Sequence, residues 1–373
     1  MEKHKGIFLE LDYGQNVHLD LKDKKILSIL GENCRIPVTT IGKIIHSSKG
    51  SVSYRIQELM KKEIYRKNIA VINPFIFGFP VRVVLIKLKN ISTEKENEII
   101  QFFENNPFVI WFGETQGSYD FNISMTATNL NHFNKMISEI KRKIGRDLKE
   151  LKILKLTKFY NCETIPVKMK KELNISFPEM KRDYSFNSLL KKPYSSADEI
   201  IEKPKLKEIL ILSEIANNAN ISLQAISEKT GIKRDSVKNI ISSLIQRNII
   251  LAFRGVINLS FLRLHGYVSY FKINSKAKKG RVSELEHYFR GSEYTAFGAM
   301  AEDSYYTFLT YHSAGNPLEF NALIKDIRNK FSDIIEEYTA DLILKDYKLT
   351  FFPEGLLSPI KSLIVKVGAK LGF

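Results

Sequence analysis

The sequence predicts an α+β chain in which one unit is used twice. That unit is three short helices with a β-ribbon, followed by a βαββαβ sheet. The first observation behind this is a repeat. KILSILGENCRI at 25–36 recurs as LILSEIANNANI at 210–221, which places Asn33 on Asn218 at an offset of 185. The same offset puts Ile41 on Ile226, Val52 on Val237, Leu59 on Leu244 and Ile64 on Ile249. It also puts Val71-Ile72-Asn73 on Val256-Ile257-Asn258, and Phe112-Gly113 on Phe297-Gly298. A constant register with apolar positions on apolar positions is the signature of a duplicated fold. The second observation is helical periodicity in the first part of each copy. The third is the alternation of strand-like and helical patterns that follows it.

The elements of the first copy follow in order. Leu19, Ile26, Leu27 and Leu30 give a first helix over 19–32. Pro37 and Thr39-Thr40 open a second, with Ile41, Ile44 and Ile45 apolar and Thr39 or Thr40 as its N-cap. After the turn His46-Ser47-Ser48, Val52, Ile56 and Leu59 lie on one face of a third helix. Residues 64–72 then read as a hairpin wing, making a winged helix-turn-helix. Next come strands at 81–88, 108–112, 121–126 and 148–159 and helices at 93–104 and 130–143. That order is the ferredoxin-like unit with a four-stranded antiparallel sheet.

The second copy repeats the pattern. Helices are expected at 205–217, 222–229 and 233–247, with Gly231 at the turn and a wing at 249–258. A sheet follows with strands at 267–273, 294–300, 305–311 and 334–345 and helices at 281–290 and 318–331. The expected division is an arm at 1–18, winged helix 1 at 19–74 and ferredoxin-like domain 1 at 75–165. A basic linker spans 166–204, then winged helix 2 at 205–258, ferredoxin-like domain 2 at 259–347 and an amphipathic tail at 348–373. The linker carries Pro166, Pro178, Pro193 and Pro204. In the tail, Leu357, Ile360, Ile364, Val367 and Leu371 form an apolar stripe. It suits packing on the chain itself or on a second copy, or a membrane-surface or partner contact.

Composition narrows the function classes. Cys34 and Cys162 fall in no metal or redox spacing, which fits a reducing compartment and a cytoplasmic protein. The seven histidines are scattered, so no metal site and no cofactor are expected. No stretch approaches the ~20 apolar residues of a membrane span. Net charge is +16, which points to a polyanionic partner if the charge is gathered where a partner would dock.

The third helix of each copy gathers it. Between residues 48 and 62, Lys49, Arg55, Lys61 and Lys62 face only Glu58; between 233 and 247, Lys233, Arg234, Lys238 and Arg247 face only Asp235. With Val52, Ile56 and Leu59 inward, Tyr54, Gln57 and Lys61 point outward, flanked by Ser51 and Ser53. In the second copy, Lys238, Asn239 and Ser242 take that face. Cations neutralise phosphates, and Ser, Asn and Gln read base edges. Arg66 and Lys67 in the first wing and Arg254 in the second are candidate phosphate contacts. Double-stranded DNA is therefore the expected partner.

LDLKDKKILSILGENCRIPVTTIGKIIHSSKGSVSYRIQELMKKEIY (19–65), AVINPFIFGF (70–79) and the turn Gly117-Ser118-Tyr119-Asp120 resemble the leucine-responsive/asparagine-responsive (Lrp/AsnC) family of prokaryotic transcription regulators. The resemblance covers 19–165 and, more faintly, 205–345. It implies an amino-terminal DNA-binding domain and an effector domain that pairs through its sheet into dimers and larger assemblies. It also implies a small effector such as an amino acid near Gly117, Tyr119 and Asp120. Asp120 reads equally as a turn-capping carboxylate. The second copy has Glu302-Asp303-Ser304-Tyr305 there, without glycine. The family usually carries one such unit per chain, so two in one chain suggest intrachain pairing, a homo-oligomer, or both.

Two other readings stand beside a non-enzymatic transcription regulator. One is an adaptor that uses winged helices for protein contacts. The other is an enzyme, since the double architecture resembles siroheme decarboxylases. Those carry a His-Cys-Tyr-x-Arg-like stretch, and this chain has Trp111-Phe112-Gly113-Glu114 in the matching region. No catalytic residue is assigned.

Overall fold

The computed structural model describes residues 17–78, 80–175 and 203–356. Three helices open it: α1 (Leu21–Glu32), α2 (Val38–Ile44) and α3 (Lys49–Lys61). The strand β1 (Tyr65–Ile72) follows, then β2 (Arg82–Leu88), α4 (Thr93–Glu104), β3 (Val109–Gln116), β4 (Phe121–Met125), α5 (Leu130–Ile144) and β5 (Leu148–Tyr160). A short helix α6 (Val167–Glu172) lies within the expected linker. The order then recurs: α7 (Leu206–Ile215), α8 (Leu223–Thr230), α9 (Arg234–Gln246) and β6 (Ile250–Ile257). It closes with β7 (His265–Ile273), α10 (Lys279–Gly291), β8 (Thr295–Glu302), β9 (Phe308–Ala314), α11 (Pro317–Phe331) and β10 (Ile335–Leu349).

Two expectations fail locally. Pro37, not a threonine, caps α2, and Thr39 and Thr40 lie inside the helix. Proline fixes the entry φ by itself, so no side-chain cap is required. The larger correction concerns the wings. Neither 64–72 nor 249–258 folds a hairpin. Each contributes one strand, and β1 pairs antiparallel with β6. The reason is hydrophobic: β6 is buried along its whole length, and so is Ile69 to Ile72 of β1. A strand buried on both faces gains more from a partner of the same kind than from an exposed hairpin arm.

The ribbon is centred on equivalent positions. Ile69 pairs with Arg254, residues 185 apart. Cys34 N–H donates to Phe253 C=O at 3.1 Å, and Ala219 N–H to Asn68 C=O at 3.1 Å. Cys34 and Ala219 are 185 apart, as are Asn68 and Phe253. Each helix triad thus packs on the strand that follows the other triad as well as on its own. Leu251 and Ile257 of β6 join the core of α1–α3, and Ala70 and Ile72 of β1 join that of α7–α9. This pattern of reciprocal contacts is that of a two-fold interface, here made within one chain.

Below the ribbon, the two four-stranded sheets close into one barrel in the order β10-β3-β4-β2-β5-β8-β9-β7. Each half keeps the ferredoxin-like strand order. The long strands β5 and β10 extend past their own sheets to pair with β8 and β3. Val83, Leu85, Leu154, Val268, Tyr270 and Leu309 fill the interior. The alternate residues Val84, Ile86, Phe121 and Ile123 pack under α4 and α5, and Phe271 and Phe308 under α10 and α11. Strand β10 runs to Leu349, past the expected boundary at 347, because Lys348 and Leu349 continue the pairing with Phe112 and Trp111. Most of the proposed tail, the arm at 1–16 and linker residues 176–202 lie outside the described residues.

Candidate nucleic-acid interface

The geometry of α3 starts with the turn before it. His46 adopts φ 52°, in the left-handed region. A Cβ on Gly42 would sit 2.6 Å from Ser47 C=O, so only glycine lets the turn close this tightly. Ser48 then caps α3, its Oγ accepting from Ser51 N–H at 3.2 Å. Val52 and Leu59 are buried. Lys49, Ser51, Tyr54, Gln57 and Lys61 are exposed, and Ser53 is half-buried. Tyr54 is 64% exposed, large for an aromatic ring with no structural task on the surface. With its first turn capped by Ser48, the helix presents exposed Lys49 and Lys61 near its two ends.

Arg55 does something else. Its guanidinium donates to Asp20 at 2.8 Å and Asp23 at 2.7 Å. Those two carboxylates also form the reciprocal cap of α1. Burial works to raise the Asp20 pKa, but the Asp23 N–H and Arg55 hold it below the ordinary range. Hydrogen bonds to Asp23 and Asp20 push the Arg55 pKa up. Arg55 fastens α3 to α1 and is removed from the outward set.

Before α9, Gly231 takes φ 69° at the end of α8. Helix α9 buries Val237, Ile241, Leu244 and Ile245. Lys233, Arg234, Lys238 and Asn239 are exposed; Ser242 is half-buried and its Oγ donates to Lys238 C=O. Asp235, 95% exposed at the side chain, lies 4.0 Å from Arg234 and lowers the positive field at the start of the helix.

The wing candidates move inward with the ribbon. Lys67 is half-buried, donates to Leu349 C=O at 3.1 Å and has its pKa lowered by burial. Arg66 Nε donates to Glu63 C=O. Arg254 is 5% exposed and ion-paired to Glu32 and Glu163, with Cys162 C=O and Glu32 C=O as further acceptors. Lys170 of α6 closes the cluster at 2.6 Å from Glu32 and 2.7 Å from Glu163. Burial works against the Glu32 carboxylate, but Arg254 and Lys170 bring its pKa down to about 2. The repeat held the signal for this: position 69 is Ile where position 254 is Arg.

The expected effector turn is engaged by its own chain. Asp341 of β10 accepts from Ser118 N–H at 2.5 Å and Tyr119 N–H at 3.3 Å. Gly117 has φ 152°, and a Cβ there would overlap the Asp341 carboxylate. Tyr119 is buried with its hydroxyl against that of Tyr306. Asp120 is held by Lys87 and Leu88 N–H, the turn-bracing role. Nothing local in the sequence marks Asp341, because its partners are 222 and 223 residues away.

Among the described residues, no group of three His, Cys, Asp or Glu is placed to hold a metal ion, and no helix is long and apolar enough to cross a membrane. Burial pushes the Cys34 and Cys162 thiols up to about 12, so neither is a nucleophile at neutral pH. His312 is buried in the helix-facing layer, with Thr310 and Thr295 hydroxyls on its two ring nitrogens.

Residues 19–60 match the AsnC-type helix-turn-helix domain. HTH-type transcriptional regulator FL11 of Pyrococcus furiosus is 31% identical over 126 residues, which span 33% of this chain and 82% of that protein. The chain belongs to the Lrp/AsnC family. HTH-type transcriptional regulator LysM of Sulfurisphaera tokodaii is likewise 31% identical over 129 residues, 33% of this Lrp/AsnC chain and 85% of LysM. Such relatives match about one third of its length. The siroheme decarboxylase NirDL is similar over 93% of this chain and 99% of its own, with a TM-score of 0.56 and 13% identity, which is a likeness of fold.

Proposed function

We propose that this Lrp/AsnC-family chain is a sequence-specific DNA-binding transcription regulator that carries two tandem DNA-reading modules, at 19–74 and 205–258, and needs no second chain to pair them. The observation that carries this is the β1–β6 ribbon, which fixes two helix triads to each other while α3 and α9 keep basic, hydrogen-bonding faces open. The two effector-type domains at 75–165 and 259–347 make the barrel that supports the ribbon. Tying two modules together makes the second contact intramolecular, a gain of roughly 10²–10⁴ in avidity where both engage.

The faces are unlike. Lys49, Ser51, Ser53, Tyr54, Gln57 and Lys61 form one; Lys233, Arg234, Lys238, Asn239 and Ser242, with Asp235 among them, form the other. A non-palindromic operator follows, with α3 supplying the stronger half-contact. The turn at Gly117, Tyr119 and Asp120 is read as a brace between the halves, since Asp341 occupies its N–H groups.

Selection of bound DNA from a random pool tests this reading. Lys49→Ala with Tyr54→Ala, and separately Lys238→Ala with Asn239→Ala, should each alter the preference at one half-site, at ~1–3 kcal/mol per lost base contact. A perfect palindrome with equal half-sites would count against it.

The whole-chain likeness to NirDL favours one second reading, an enzyme acting on a tetrapyrrole. A tetrapyrrole absorbance in the purified protein, or on titration with an iron porphyrin, would support it.

A further inference from the structure

A partly open cavity lies between the closed barrel and the β1–β6 ribbon. Its open volume is about 170 Å³. Barrel residues Trp111, Phe297, Tyr311 and Ile343 form the floor and walls; Ile69 of the ribbon and Phe351 beyond β10 form the roof. The rings make a continuous wall. Trp111 meets Tyr311 edge to face at 5.1 Å, Tyr311 meets Phe297 at 5.6 Å, and Phe297 stacks on Phe159 at 5.9 Å. Phe159 stacks in turn on Phe75 at 5.4 Å, in the turn that follows β1. The lining is almost wholly apolar; of its two carboxylates, Asp346 lies in the field of Lys67. Glu163 is held by Arg254 and Lys170.

The volume and the chemistry decide between occupants. A water needs two to four polar partners, and apolar cavities of about 150 Å³ stay dry and take benzene or xenon. The space is smaller than the ~300 Å³ at which drug-sized pockets begin. An apolar void of this size also forfeits packing contacts that a well-packed core would make. We infer that this cavity is a binding site for a compact, uncharged apolar molecule the size of a single aromatic ring or a short branched hydrocarbon. Such a ligand touches barrel and ribbon at once, and its binding stands independently of the DNA-binding reading.

Trp111 is the chain's one tryptophan, so its fluorescence reports on the cavity directly. The full-length protein is titrated with benzene, and separately with isobutanol and indole, following Trp111 emission for the first two and Tm for all three. The expected result is a saturable change in Trp111 emission and a Tm that keeps rising with ligand concentration. Ser124 lines the cavity opposite Trp111 in the strand register. Ser124→Leu fills the space and should weaken benzene binding at least about tenfold while leaving the circular dichroism spectrum unchanged. Should that variant misfold, Ser313→Leu fills the same cavity from β9. Absence of a saturable signal in the parent protein overturns the inference. So does benzene affinity that is unchanged in a folded, filled variant, because the ligand would then sit elsewhere.

Discussion

Replacing Arg254 by methionine tests the asymmetry at the heart of the ribbon. The side chain is 7% exposed and reaches the carboxylates of Glu32 and Glu163 and the backbone carbonyls of Gly31, Glu32 and Cys162. Breaking a buried ion pair by removing one partner costs about 3–5 kcal/mol. Lys170 remains beside both carboxylates, at 2.6 and 2.7 Å, and softens that loss. About 2–3 kcal/mol is therefore expected, read as a fall in the urea midpoint at unchanged slope. The Glu32 carboxylate supplies a second signature. Its pKa is about 2 when folded against an ordinary 4.5. A depressed carboxyl stabilises the fold fully above its unfolded pKa, and that stability is lost as pH falls from about 4.5 towards 2. The parent protein should lose stability across that window, and Arg254→Met should lose less. The quadruple change Arg254→Met, Glu32→Gln, Glu163→Gln, Lys170→Met should recover much of the deficit, since Lys170 would otherwise lose both its carboxylates and no buried charge is then left uncompensated. A cost below ~1 kcal/mol for Arg254→Met, or a quadruple variant less stable than the single one, would refute the reasoning.

Other outcomes follow from the same geometry. Gly117→Ala should destabilise by about 2 kcal/mol or more in thermal unfolding, through a disfavoured φ and overlap with the Asp341 carboxylate; Asp341→Ala should relieve part of the overlap in the double variant. Arg55→Ala should lower stability by about 1 kcal/mol, discounted for partial exposure, and leave the sequence preference in DNA binding unchanged. Burial brings the His312 pKa down to about 3, so a proton adds to the unfolded chain first; stability present above pH 6.5 should decline as pH falls towards 3, and the His312 ring should show no NMR titration between pH 5 and 8.

Much of this molecule was legible in its sequence. The periodicity of α1 to α3 and the βαββαβ order depend on local patterns, and both are found where the apolar spacing puts them. The outward sets on α3 and α9 followed from counting around a helix. What escaped was long-range. Residues 64–72 and 249–258 have the composition of a wing in either arrangement, and only the other copy's strand decides between a hairpin and a shared ribbon. Arg55, Lys67 and Arg254 carry the charge of phosphate contacts, but their partners lie 32 to 282 residues away, out of reach of spacing arguments. Asp341 and the Gly117 turn met for the same reason. Comparing the copies residue by residue offered the one available clue, because Arg254 replaces an apolar residue in an otherwise apolar strand.

The most direct measurement is the salt dependence of binding to a selected DNA site, made with the parent protein and with the α3 and α9 double variants. Each phosphate neutralised contributes about −0.9 to the slope of log affinity against log salt. Two engaged modules predict a steep slope for the parent and a shallower one for both variants, with the larger loss from Lys49→Ala plus Tyr54→Ala. A parent slope near zero, or a slope that neither pair of substitutions moves, would contradict a chain that holds two basic helices against one duplex.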